Sequence, residues 1–232
     1  MASSLGMAPV ASRLRVPSTV SASRTRLLLA AGAAAGPIYL SVGLAQALLR
    51  PGFDLRRHDL SLLSNGDLGW VQVTNFLLSG ALVLLGALGV RRALGDGRGA
   101  RWAPILIGLY GLGLIGAGLF SADPALGFPL GTPAEANTVS WHGLLHFACG
   151  GLGFLGLIAA CGLLSRRFAE QHERRWAIYS AVTGLTFFAS FVGIASGSGN
   201  SATIFGFWVG IVLAWSWLTS LALRLLRDLP TD

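Results

Sequence analysis

The chain has 232 residues, of which 53% are hydrophobic and only 12% are charged, and its mean hydropathy is +0.64. This composition excludes an ordinary soluble domain, in which about 25% of residues are charged, and indicates an integral protein of the lipid bilayer. The formal net charge of +7 does not indicate nucleic-acid binding, because the arginines are spread over short segments between apolar runs.

Residues 1–26 are rich in Ser, Ala and Arg and contain no acidic residue, which predicts a disordered N-terminal tail. An organellar transit peptide has the same composition and is the alternative interpretation. The apolar runs that follow are free of Asp, Glu and Arg, and each has about the 20 residues that cross a bilayer. They predict transmembrane helices at 27–49, 70–90, 102–120, 141–164, 176–194 and 203–223.

The predicted fold is therefore all-α: a polytopic membrane helix bundle of six transmembrane helices over residues 27–226, with a C-terminal tail at 227–232. Pro37 lies within the first helix and removes a backbone N–H, so we expect a neighbouring helix or Ser41 to satisfy the freed carbonyl. Glycines are frequent in the third and fourth helices, which we expect at the centre of the bundle because small residues permit close packing in lipid.

The arginines are distributed unevenly among the connectors. Fourteen of the seventeen lie in the N-terminal tail, in the second and fourth connectors, or at the C-terminal end. Because cytoplasmic segments of membrane proteins are enriched in positive charge, we expect both termini to be cytoplasmic in a multi-pass protein of the cell membrane. The first, third and fifth connectors are then extracytoplasmic. Most residues with side chains suited to binding or catalysis fall on that side.

The first connector predicts a short interfacial helix that Asp59 caps, with Ser61 inside it. Arg50, Arg56 and Arg57 of this connector are exceptions to the charge asymmetry. We therefore interpret Arg56, Arg57 and His58 as partners for acidic residues such as Asp123 and Glu135, or as a site for an anionic headgroup. A segment that merely covers the end of the bundle is the alternative.

In the fourth helix, His142 and His146 are four residues apart and share one helix face. Three histidines with carboxylates supply enough ligands for a zinc ion with an open coordination position. The zinc-ligand candidates are His58, Asp123, His142 and His146, and the catalytic candidates are Asp59 as a base and Ser61. The alternatives are a structural polar network and a ligand or proton path. The ligand-binding candidates are Arg56, Arg57, His58, Asp59, Ser61, Asp123, His142 and His146.

The sequence resembles the domain of unknown function 998 family of bacterial and archaeal membrane proteins in residues 59–61, 69–75, 118–124 and 142–146. This resemblance implies six spans and a polar outer face, and it supplies no established reaction. A looser likeness is to membrane hydrolases of the alkaline ceramidase type, which hold zinc with three His and an Asp beside a Ser. The order and spacing of these residue types differ here, so no residue roles follow from it.

Three functions follow as hypotheses. The first is a polar extracytoplasmic pocket that binds or moves a small molecule or lipid headgroup. The second is a zinc-dependent membrane hydrolase of a lipid or amide, and the third is a structural scaffold without a ligand. Whether the protein is an enzyme, and whether it forms oligomers, stays open at this point.

Overall fold

Six apolar stretches form long helices in the computed structural model, which describes residues 19–135, 139–196 and 200–230. All six are long and apolar enough to cross a membrane, and the described residues contain no strand, which confirms the predicted all-α class. A short 3-10 helix, Leu60–Ser64, lies in the first connector. The long helices are α1 (Thr19–Leu49), α2 (Gly69–Ala93), α3 (Trp102–Leu119), α4 (Trp141–Glu170), α5 (Arg174–Ala195) and α6 (Ser201–Arg227).

The first helix begins earlier than the sequence predicts. Residues 19–26 were expected within a disordered tail, but they form the first turns of α1. The Arg26 guanidinium donates hydrogen bonds to the carbonyls of Leu229 (3.3 Å) and Pro230 (2.5 Å), which ties these turns to the end of α6. Tertiary contact thus extends the helix beyond its apolar part. The rest of the expected tail, residues 1–18, lies outside the described residues.

The helices are arranged as a closed ring. Each helix packs against its neighbours in the chain, and α6 returns to pack against α1. Successive helices run in opposite directions, so the connectors alternate between two ends of the bundle. The arginine end carries the helix termini at Thr19 and Arg227 with connectors 94–101 and 171–173, and the cavity end carries connectors 50–68, 120–140 and 196–200.

Glycines bring the backbones of the first four helices into direct contact. A Cβ added at Gly86 in α2 would lie 2.6 Å from the Cα of Gly32 in α1, and one at Gly113 in α3 would lie 2.8 Å from the Cα of Gly153 in α4. Gly80 in α2 likewise meets the backbone of α3. Close packing therefore extends over three successive interfaces, and α3 and α4 are ring neighbours instead of a central pair.

Several buried polar groups are paired between helices, as expected in lipid, where water cannot satisfy them. The carbonyl of Ala33, which loses its helical partner at Pro37, accepts a hydrogen bond from the Thr219 hydroxyl of α6 at 3.2 Å. In the same way the Asn75 side-chain amide of α2 donates to the Tyr39 carbonyl of α1 at 3.1 Å. These bonds fix α1 against both of its neighbours.

The contact between Gly32 and Gly86 predicts a sharp cost for one added methyl group. Gly86→Ala should lower the free energy of unfolding by about 1–3 kcal/mol, because overpacking forces the two backbones apart. Thermal unfolding of the purified protein measures this change. Gly162→Ala is the matched control, since a Cβ at Gly162 in α4 meets nothing within 4 Å. It should gain about 1 kcal/mol of helix propensity, and equal losses in both variants would contradict the packing account.

Candidate ligand-binding cavity

Arg50 holds the first connector onto the bundle. Its guanidinium donates to the carbonyls of Leu63 (2.5 Å) and Asn65 (2.6 Å) and lies 4.9 Å from the centre of the Phe128 ring. Burial lowers the pKa of this guanidinium, and the nearby charge of Asp67 opposes that change. Arg50, one of the three arginines at this end, therefore has a structural role.

His58 links the first connector to the third. Its Nδ1 accepts a hydrogen bond from the Asp54 backbone N–H at 2.9 Å, and its Nε2 lies 3.1 Å from the Leu126 carbonyl, to which it donates. The side chain is only 2% exposed and packs against the rings of Phe53 and Phe128. Because backbone groups occupy both ring nitrogens, His58 has no lone pair available for a ligand.

Asp123 fastens the start of α4. Its carboxylate accepts hydrogen bonds from the Ser140 backbone N–H (2.8 Å) and from the Ser140 hydroxyl (2.5 Å). The Ser140 hydroxyl in turn accepts from the Gly143 N–H at 3.1 Å and so caps the helix. The negative charge lies at the positive end of the α4 dipole, which is favourable. Asp123 thus fills the turn and capping role that its position before a proline favours.

The two histidines of α4 have different surroundings although they are one turn apart. His142 lies in the first turn of α4, is exposed, and packs on the Trp141 ring with 3.6 Å between the ring centres. His146 is one turn further in and only 6% exposed, because the end of α3 covers it. Sharing a helix face therefore does not bring the two imidazoles into one site.

The ring orientation of His146 is fixed by α3. Its Nδ1 lies 2.9 Å from the Ala117 carbonyl and 2.8 Å from the Phe120 carbonyl. A carbonyl oxygen can only accept, so Nδ1 must carry the proton. Within the described part of the chain Nε2 has no hydrogen-bond partner, and in the neutral ring it presents a lone pair.

His146 faces a cavity of about 70 Å³ that lies beneath the 3-10 helix and between α1, α4, α5 and α6. Asp59 and Ser61 line its polar side, and aromatic rings form most of the rest. A second cavity of about 40 Å³ continues towards α2 and α3. It shares five lining residues with the first, namely Tyr39, His146, Gly150, Phe154 and Ile211. The aromatic residues of the first cavity are Tyr39, Phe147, Phe154, Phe191, Phe207 and Trp208.

Asp59 caps the 3-10 helix and also borders the cavity. Its Oδ1 accepts hydrogen bonds from the Ser61 backbone N–H (2.9 Å) and from the Ser61 hydroxyl. Its Oδ2 has no hydrogen-bond partner among residues 19–135, 139–196 and 200–230. One carboxylate oxygen is thus used by the fold, and the other remains available.

The structure brings together three of the residues that the sequence singled out, namely Asp59, Ser61 and His146. The others lie outside the cavity lining: Arg56, Arg57 and His142 are exposed, while His58 and Asp123 are engaged by the backbone. The aromatic lining was not predicted, because within the sequence it is part of ordinary apolar runs. The spacing of Phe147 and Phe154, seven residues apart on one helix face, was the available signal.

The zinc hypothesis requires several ligands at one point. In the part of the chain that the structure describes, no three His, Cys, Asp or Glu side chains are grouped so that they could hold a metal ion. His58, Asp123, His142 and His146 each have separate surroundings. The zinc site thus stays a prediction from residue types, without support from side-chain geometry.

Comparison with known proteins gives one match. The family model described as a protein of unknown function (DUF998) matches residues 33–224, which include all six long helices in whole or in part. No curated protein and no solved structure matches the chain.

The role of Asp123 predicts a change in stability. Asp123→Ala should lower the free energy of unfolding by about 1–2 kcal/mol, because the cap of α4 loses two hydrogen bonds. Thermal unfolding checks this. Asp96→Ala is the control, since Asp96 is exposed at the arginine end and its side chain has no partner among the described residues. If Asp123→Ala unfolds at the same temperature as Asp96→Ala, the capping role is wrong.

Proposed function

We propose that this chain, which belongs to the domain of unknown function 998 family, binds a small amphipathic molecule in the cavity beneath the 3-10 helix. One observation carries the proposal. The His146 side chain is only 6% exposed, two carbonyls fix its ring, and its Nε2 has no hydrogen-bond partner within the described residues. An unpartnered acceptor at a mostly apolar cavity favours a ligand that supplies a hydrogen bond.

The lining of the cavity supports an amphipathic ligand. Polar groups of Asp59 and Ser61 come from the 3-10 helix, whereas the Phe154, Phe191 and Phe207 rings come from three long helices. Binding sites for small molecules are typically apolar with a few polar groups that fix orientation. A ligand with its headgroup next to the 3-10 helix and its apolar chain along the rings would match both the polar and the aromatic parts of the lining.

The surface of α4 supports entry from the bilayer. Phe147 lines the cavity and is 58% exposed, so the lining continues to the outer surface of the bundle. A Cβ added at Gly150, one turn further along, would meet nothing within 4 Å. This gap lies where lipid contacts a membrane-spanning helix, and an apolar chain can extend through it.

We further propose that the arginine end is cytoplasmic, so that the cavity faces the outer leaflet. The support is the distribution of charge, because fourteen of the seventeen arginines lie at the arginine end or in the tails next to it. Arg224 and Arg167 at this end are held by ion pairing and by backbone carbonyls, so they also stabilise the bundle.

Labelling of single cysteines tests the orientation. In a variant with Cys149 and Cys161 replaced by Ala, a membrane-impermeant maleimide should label Asp67→Cys in intact cells and Asp96→Cys only after lysis. Both aspartates are exposed, and they lie in connectors at opposite ends of the bundle. The reverse pattern of labelling would overturn the orientation.

Filling the cavity tests the binding function. We expect 1-monolauroylglycerol to raise the thermal unfolding midpoint of the wild-type protein in phosphatidylcholine nanodiscs by a few degrees, because a ligand stabilises the folded state. Gly150→Leu should abolish this increase, since its side chain occupies the cavity. Gly162→Leu is the control on the same helix, outside the lining and equally free of neighbours. Binding that is unchanged in Gly150→Leu, or absent from the wild type, would refute the proposal.

A further inference from the structure

We infer that the cavity selects ligands with a primary ammonium group on an apolar chain. This inference rests on the proposed function and adds the chemical class of the headgroup. It differs from the expectation of an anionic headgroup that Arg56 and Arg57 suggest, because both arginines are exposed and neither lines the cavity.

The charge of the lining favours a cation. Asp59 contributes a half-buried carboxylate, and none of the residues that line the cavity is an arginine or lysine. Arg56 and Arg57, which are nearest in the chain, are exposed and form no ion pair with Asp59 within the described residues. Arg50 directs its guanidinium to the Leu63 and Asn65 carbonyls. A carboxylate that leaves water without a charged partner loses solvation energy, and a bound cation restores it.

Three acceptors of the lining favour a cation that carries protons. The Trp208 indole N–H, buried without a partner within the described residues, is a donor of the same lining. Asp59 Oδ2 and His146 Nε2 can each accept a hydrogen bond. The Ser61 hydroxyl gives its proton to Asp59, so its lone pairs are also left to accept. A primary ammonium has three N–H donors for these three acceptors, whereas a quaternary ammonium has none. A carboxylate or phosphate group would instead face acceptors and a like charge.

The aromatic lining fits both parts of such a molecule. Ring faces attract a cation by about 0.5–2 kcal/mol when they are close to it, and more strongly when water is excluded. Phe147, Phe154 and Phe191 also provide apolar surface for the chain. The second cavity extends that surface from Tyr39 and Gly150 towards Tyr110.

The test compares four molecules with the same chain length in phosphatidylcholine nanodiscs: dodecylamine, dodecyltrimethylammonium, 1-monolauroylglycerol and laurate. We expect dodecylamine to bind about tenfold more tightly than each of the others. Asp59→Asn should remove most of this preference, because asparagine keeps the oxygen that caps the 3-10 helix but carries no negative charge. Asp67→Asn is the control, an exposed acid of the same connector that does not line the cavity.

The outcomes separate the two proposals. If 1-monolauroylglycerol binds and Gly150→Leu blocks it, but dodecylamine has no advantage, the ammonium inference is wrong and the binding function stands. If Asp67→Asn reduces the dodecylamine preference as much as Asp59→Asn does, the inference is also overturned, because surface charge then explains the preference. If Asp59→Asn does not fold, Ser61→Ala is the second variant. It should weaken dodecylamine binding about threefold, and by more than it weakens laurate binding. Equal effects on both would overturn the inference.

Discussion

The hydrogen bond from His146 Nδ1 to the last carbonyls of α3 is the interaction on which the candidate site depends. It satisfies the Ala117 and Phe120 carbonyls, which have no partner within their own helix. It also fixes which ring nitrogen is protonated, so the other nitrogen faces the cavity as an acceptor. The bond is possible because α3 and α4 approach closely at Gly113 and Gly153. Backbone packing in the membrane therefore sets the chemistry at its edge.

At the cavity end, most polar side chains stabilise the connectors. Arg50 binds carbonyls of the first connector, His58 joins the first connector to the third, and Asp123 caps α4. Connectors without regular structure expose backbone groups that must be paired, and these side chains pair them. Among the described residues, Asp59, Ser61 and His146 keep open acceptors at the cavity, and this makes them the best candidates for ligand contacts.

The sequence predicted the features that depend on local patterns. Apolar length gave the six helices, and the capping role of Asp59 and the carbonyl freed by Pro37 followed from single residue types. The position of His58 was not predictable, because its partner Leu126 lies 68 residues away. A helix pattern states which residues share a face, but it does not state which helix covers that face. His142 and His146 differ in burial because α3 covers only His146.

The cavity end combines charges of opposite sign at different depths. Arg56 and Arg57 are exposed, and neither forms an ion pair within the described residues. We propose that their charge attracts anionic headgroups, which act on cations over about one Debye length. Asp59 lies deeper, where less water surrounds it and a pairing cation contributes more. The two proposed roles, attraction of anionic lipid at the surface and selection of an ammonium group in the cavity, are therefore compatible, because they are assigned to separate residues.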